Sequence, residues 1–254
     1  MSAPVAVVTG ASRGIGRRLS VDLADAGYDV VCVARSSDAR PSKLPGTVEV
    51  TAKAVRERGR QALAVALDVR DEQAVAALAT RIAEEWGRCD LLVNNAAVAP
   101  PVPALEDSTR RWRLAVDVNL NGPFYLIYYL SPQLREGEGG RVLNVSSLAA
   151  VTPEFGRASY TATKSALEAL SRALAHDLRE HVAVNCLRID VPVWSEGFEA
   201  TLGEGHSFQF EDPVIVSDAT LWLVRQPISY TGRVHTIVEL RERGVVRPLT
   251  LAQS

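Results

Sequence analysis

The sequence predicts an α/β fold, a doubly wound and mainly parallel sheet of seven strands with helices on both faces, in one domain spanning residues 1–254. Three observations predict it. Short β-rich apolar runs alternate with longer amphipathic stretches, the rhythm of strands joined by crossover helices. The runs are almost continuously hydrophobic, as in strands covered on both sides. The chain has 254 residues, 47% hydrophobic and 23% charged, which suits one large folded domain and excludes a disordered chain.

The elements follow in order. "VAVVTG" (5–10) opens the sheet and runs into a helix over 15–26; "YDVVCVA" (28–34) is the second strand. The Pro- and Ser-rich stretch 36–46, "SSDARPSKLPG", reads as a surface loop before a helix over 47–58. "ALAVALDV" (62–69), a helix over 71–86, "DLLVNNA" (90–96) and a long helix over 108–129 continue the alternation. "GRVLNVSS" (140–147), a helix over 159–181 and "HVAVNCLRI" (181–189) come next. Residues 194–213 break the rhythm with Trp194, Phe198, Phe208 and Phe210 among Gly and acidic residues, and a loop of this length reads as a substrate lid. A weaker helix over 214–224 and a last strand in "GRVHTIVEL" (232–240) close the domain.

A net charge of −2 without a basic block gives little electrostatic support for binding nucleic acid or an anionic membrane, and neither is expected as a partner. The longest strongly apolar run, "FYLIYYL", is too short to span a bilayer. The N-terminus enters a strand at once, without a basic region and long apolar stretch, so a cytoplasmic location is expected. Cys32, Cys89 and Cys186 are widely spaced in apolar sequence and read as buried free thiols. The four histidines form no compact ligand motif, and no metal is expected; His176 and His181 read as surface positions.

"TGASRGIG" follows the first strand and opens a helix. Its glycines Gly10, Gly14 and Gly16 permit a tight turn and close approach to a pyrophosphate, for which the helix N-terminus supplies aligned N–H groups. Ser12, Arg13 and Ile15 lie in the same turn and join the glycines as cofactor-binding candidates. In a Rossmann-like sheet of this kind, an NAD-preferring chain ends the second strand in an acidic residue that holds the ribose 2′-OH. Here Ala34 and Arg35 stand there, with Arg13 in the turn, an arrangement that suits a 2′-phosphate. NADP(H) is expected over NAD(H), with a merely solvated Arg35 as the plainer reading.

In "SYTATK", Tyr160 and Lys164 are four apart and share a helical face. A phenol with a pKa near 10 is a poor base, and a neighbouring ammonium stabilises its anion. Bringing it near neutrality takes roughly 4 kcal/mol. Ser147, thirteen residues earlier at a strand end, could hold a substrate oxygen beside the tyrosine. Ser146 points to the opposite face and reads as structural.

"TGASRGIG", "LDV", "NNAA", "VNLNGPF", "NVSS" and "YTATK" occur in the order and approximate spacing of the short-chain dehydrogenase/reductase family, which this chain resembles. The resemblance implies Tyr160 as general acid/base, Lys164 as the cation that lowers its pKa and binds the nicotinamide ribose, Ser147 as the carbonyl-orienting hydroxyl and Asn119 as part of a proton relay. It implies Asp68 and Val69 around the adenine, and Asn94 with Ala96 beside a cofactor ribose. Asn119 could instead cap or kink its helix, and Asn94 and Asn95 could chiefly bridge strands. Residues 41–73, with "KLPGT", are similar to the hydroxysteroid dehydrogenase-like branch of the family.

The activity so implied is NADP(H)-dependent interconversion of a carbonyl and an alcohol, with enoyl reduction and a catalytically silent dinucleotide sensor or scaffold as alternatives. The lid aromatics suggest a bulky apolar or lipid-like carbonyl compound, or else packing against the domain or another subunit. A homo-oligomer, dimer or tetramer, is expected from the resemblance. After the sixth strand, Ile189 and Asp190 replace the family's Pro-Gly, and Ser195 stands near its Thr, so Ile189 and Ser195 are cofactor-binding candidates. Asp190 is expected to stabilise a turn or pair with Arg188, or to face the active site.

Overall fold

All seven apolar runs form strands in the computed structural model, which describes residues 2–99, 101–103, 105–106, 108–136, 139–202, 209–249 and 251–252. They are β1 (Val5–Thr9), β2 (Asp29–Ala34), β3 (Ala62–Ala66), β4 (Leu91–Asn94), β5 (Gly140–Ser147), β6 (Val182–Ile189) and β7 (Val234–Thr236). Every pairing is parallel, in the order β3-β2-β1-β4-β5-β6-β7, a Rossmann-like sheet. Two apolar layers explain the lack of alternation. Helices α1 (Gly14–Asp25) and α2 (Val48–Arg56) cover one face, where Val8, Leu19 and Cys32 meet. Helices α3 (Glu72–Glu85), α4 (Thr109–Val116), α5 (Gly122–Leu134) and α6 (Ala158–Asp177) follow along the chain, and Val7, Ile82 and Leu130 pack in the second layer. The three cysteines are buried and free, and His176 and His181 are exposed.

Three elements differ from expectation. The helix expected over 108–129 is interrupted by a π-helical turn, Asp117–Asn121, between α4 and α5. Pro123 has no N–H to donate to the carbonyl four residues back, which belongs to Asn119, and this loosens the winding there. The region 194–213 contains α7 (Glu196–Leu202) and is followed by α8 (Val214–Val224). The last strand stops at Thr236, whose hydroxyl accepts the Glu239 N–H at 3.0 Å and caps α9 (Ile237–Glu242).

The segment flanking α7 is tied down at its base. Trp194 N–H donates to the Glu211 carbonyl and Glu211 N–H to the Pro192 carbonyl, at 2.9 and 2.8 Å. Phe210 is buried and meets Phe198 edge-on at 5.2 Å. Phe210 thus packs within this segment; Phe208 lies outside the described residues.

Candidate active site

The candidate residues gather at the C-terminal ends of the parallel strands, around the point where the strand order reverses between β1 and β4. A ligand crevice is expected at such a reversal. The turn between β1 and α1 is closely fitted. A Cβ on Gly16 would lie 2.3 Å from the Gly10 carbonyl oxygen, and Gly14, with φ +51°, would press one to 2.7 Å from Ser195 Cβ. Helix α1 begins at Gly14 with no acidic residue in its first turn. Its N-terminal N–H groups thus retain the partial positive charge that an anionic pyrophosphate needs, and the cradle fits a dinucleotide. Thr9, not singled out in the sequence, organises the neighbouring strand end: its hydroxyl accepts the N–H groups of Asn95 and Ala96, both at 3.0 Å.

The loop 36–46 closes over this turn. Gly46, with φ +98°, would place a Cβ 2.3 Å from the Ser12 carbonyl oxygen. Arg13 reaches into the loop, its Nη2 donating to Ser36 Oγ at 3.0 Å, Ser42 Oγ at 2.5 Å and the Gly46 carbonyl at 3.3 Å, while its buried Nε has no partner. Arg35 is exposed at the end of β2. Asp68 follows β3 and pairs with Arg70 at 2.7 Å; Arg70's hydrogen bonds hold its carboxyl below the usual range. Val69 is buried, and a Cβ on Gly122 would lie 2.9 Å from its Cγ2.

Ser147 ends β5, and Tyr160 and Lys164 lie on α6 beside it. Lys164 Nζ donates to the Val145 carbonyl at 2.6 Å and sits 5.6 Å from the Tyr160 ring centre. Burial pulls the Lys164 ammonium down to about 8. Burial also pushes the Tyr160 phenol up, against an opposing hydrogen bond with Ser147. The phenol stands above its ordinary value in the chain alone, because desolvation of the phenolate outweighs the hydrogen bond with Ser147 and the pull of Arg157. Asn119, fully buried in the π-helical turn, uses both ends of its amide on Val98: Oδ1 accepts the Val98 N–H and Nδ2 donates to its carbonyl, both at 2.9 Å. Nδ2 also donates to Thr163 Oγ1 at 3.1 Å, linking the residues after β4 to α6. Asn94 Nδ2 donates to Asn144 Oδ1 at 2.8 Å across β4 and β5, a strand bridge.

Beyond β6 the side chains take other partners than expected. Arg188 turns to Glu168 of α6, at 2.7 Å, and Asp190 Oδ1 accepts the Val238 N–H at 3.2 Å in the first turn of α9. Asp190 thus caps a helix that was not expected, and its hydrogen bond is not with Arg188. Ile189 packs against the first apolar layer. Ser195 Oγ accepts the Phe198 N–H at 3.1 Å, opening α7 directly over Gly14. Glu196 brings a carboxylate oxygen, Oε2, buried and without a hydrogen-bond partner, to 3.4 Å from where a Gly14 Cβ would be. Among the described residues no acid, thiol and imidazole cluster could hold a metal, and no helix is long and apolar enough to cross a membrane.

A family model described as short chain dehydrogenase matches residues 4–191. Hydroxysteroid dehydrogenase-like protein 2 of Bos taurus is 29% identical over 243 residues, covering 94% of this chain and 57% of that protein. The chain thus spans little more than half the length of that relative. A crystal structure of a putative dehydrogenase from Xanthomonas campestris superposes with a TM-score of 0.86 at 27% identity, covering 96% of this chain and 91% of the other. A metagenomic short-chain oxidoreductase, solved in complex with NADP, gives 0.76 at 31% identity over 91% of this chain and 96% of its own.

Proposed function

Because this chain belongs to the short-chain dehydrogenase family of oxidoreductases, we propose that it interconverts a carbonyl and an alcohol with NADP(H) in preference to NAD(H). The observation that carries the reading is the meeting of Ser147, Tyr160 and Lys164 beside the glycine cradle. Gly10, Gly14, Gly16 and the first N–H groups of α1 would hold the pyrophosphate, with Ser12, Ile15, Ala96 and Ile189 along its course and Asp68 and Val69 at the adenine. Arg13 and Arg35 would meet the 2′-phosphate. A bound nicotinamide dinucleotide supplies or accepts the hydride. Ser147 orients the substrate oxygen, and Tyr160 Oη gives that oxygen its proton in reduction and takes it back in oxidation. Lys164, fixed by the Val145 carbonyl, stabilises the phenolate left behind.

The segment 148–158 beside Ser147 presents Leu148, Val151 and Phe155, the last 92% exposed, and supports a bulky apolar substrate. Trp112, Phe124 and Tyr128 are exposed on α4 and α5 and support assembly with further copies of the chain. A cytoplasmic location belongs to the same proposal. The test is oxidation of NADPH or NADH with a panel of aldehydes, ketones and enoyl compounds. Turnover of a ketone or aldehyde with NADPH, faster than with NADH, is expected. Turnover of enoyl compounds alone would favour the enoyl-reductase reading, and NADPH binding without turnover the silent sensor.

A further inference from the structure

Behind Lys164, on the side away from Ser147, three side chains join helix α6 to both neighbouring strands. Glu168 lies one turn after Lys164 on α6 and is only 4% exposed. Its Oε1 accepts from Ser146 Oγ at 2.7 Å and from Arg188 Nε at 2.9 Å, and its Oε2 accepts from Arg188 Nη2 at 2.7 Å. Ser146 and Arg188 are direct register partners on β5 and β6. A buried carboxylate is retained only when its charge is met, and here a two-pronged guanidinium and a hydroxyl meet it.

We propose that Glu168 and Arg188 are a positioning pair that sets the charge state of Lys164 while clamping α6 to the ends of β5 and β6. The inference rests on the role given to Lys164 above. Lys164 lies beside Tyr160 and one turn before Glu168 on its own helix, donates to the Val145 carbonyl on β5 and has Cys186 of β6 and Glu168 as the groups acting on its charge, with burial the larger influence; Arg188 and, further along α6, Arg172 act on Glu168. Burial holds the Cys186 thiol up, to about 11, so it is uncharged at neutral pH. Burial opposes the charge of Glu168 too, but hydrogen bonds from Arg188 and Ser146 outweigh it and hold the carboxyl below its ordinary range. Glu168 is therefore the anion acting on the buried ammonium, and Arg188 sets how much of its charge Lys164 feels. This gives the arginine of β6 a purpose that a cofactor contact would not.

The chain has three lysines, Lys43, Lys53 and Lys164, and the first two are exposed. Lysine-selective NMR titration of the full chain can thus follow Lys164 directly, with no need for turnover. In Glu168→Gln, which loses the anion and leaves the guanidinium, the Lys164 midpoint should fall by about half a pH unit or more. In Arg188→Met it should rise, and the double variant should return close to wild type. The limb of the pH profile of kcat that reports Lys164 should move in parallel. Ser146→Ala removes one donor with little disturbance to folding and should raise the midpoint slightly, so the test survives if a charge variant fails to fold. A midpoint unmoved in the folded variants, with only stability reduced, overturns the proposal and leaves a purely structural clamp. If wild type turns over no carbonyl, the functional reading falls while the titration still decides the coupling.

Discussion

Gly46 and Gly27 have nearly the same backbone conformation, φ +98° and +97°, and opposite surroundings. A Cβ on Gly27 would meet nothing within 4 Å, whereas one on Gly46 would lie 2.3 Å from the Ser12 carbonyl oxygen in the glycine-rich turn. Alanine at Gly27 incurs only the left-handed backbone cost, roughly 1–2 kcal/mol, partly offset by a less flexible unfolded chain. Its Tm should fall by about 2–4 °C. Alanine at Gly46 incurs the same cost, and the loop or the Ser12 peptide must also move, which adds about 1–3 kcal/mol. That movement separates Arg13 from Ser42 and the Gly46 carbonyl and disturbs the proposed pyrophosphate cradle. Thermal unfolding and NADPH titration of both variants check this. Gly46→Ala should melt below Gly27→Ala and bind NADPH about tenfold more weakly, a loss of about 1.4 kcal/mol, while Gly27→Ala binds as wild type does. Equal melting and equal binding in the two variants would refute the idea that loop 36–46 shapes the cofactor site.

Tyr160→Phe removes the proposed proton donor and should lower kcat by about 10²–10⁴-fold in steady-state assays while NADPH affinity measured by fluorescence stays near wild type. Glu196→Gln removes a carboxylate whose Oε2 has no partner beside Gly14; NADPH should then bind roughly fivefold more tightly, about 1 kcal/mol for one screened repulsion, as calorimetry can determine. Lys164 also predicts a pH dependence of stability, because burial lowers its pKa from 10.5 to about 8. Below about pH 8 both states are protonated and the folded state bears the full cost of burying the charge. Between the two values the unfolded chain binds more protons, so stability rises with pH, by up to about 3 kcal/mol. Urea unfolding near pH 7.5 and near pH 10 should show that rise in wild type and not in Lys164→Met.

The strands were legible because burial on both faces writes itself into the sequence as unbroken apolar runs: all five residues of β1 and all six of β2 are buried. The helix starts at α2 and α3 were legible from Thr47 and Asp71, whose side chains accept the N–H groups of Val50 and Ala74. What escaped was decided by partners distant in sequence or by a missing group. The break between α4 and α5 depends on one absent N–H at Pro123, inside a pattern that otherwise reads as one helix. Helix α9 looked like strand because four of the first five residues of "VHTIVEL" are β-branched, and the capping hydroxyl of Thr236 won over that propensity. Spacing showed that Tyr160 and Lys164 share a helical face, but not that burial would raise the phenol in the chain alone, since desolvation depends on the fold around it.

The end of β6 shows how one substitution in a motif is absorbed by its neighbours. With Ile189 and Asp190 in place of Pro and Gly, the strand keeps its pairing through Ser147 and Ile189, and each flanking side chain takes up work at a helix. Arg188 meets the carboxylate on α6, Asp190 caps the first turn of α9, and Ser195 caps α7 above Gly14. The three contacts run to three different helices, so they fix the direction in which the chain leaves the sheet without relying on a proline. That exit path sets Ser195 and Glu196 against the glycine-rich turn. A polar residue at 190 that cannot accept the Val238 N–H would therefore be felt at the cofactor cradle as well as at α9, although Asp190 itself is hydrogen-bonded to α9.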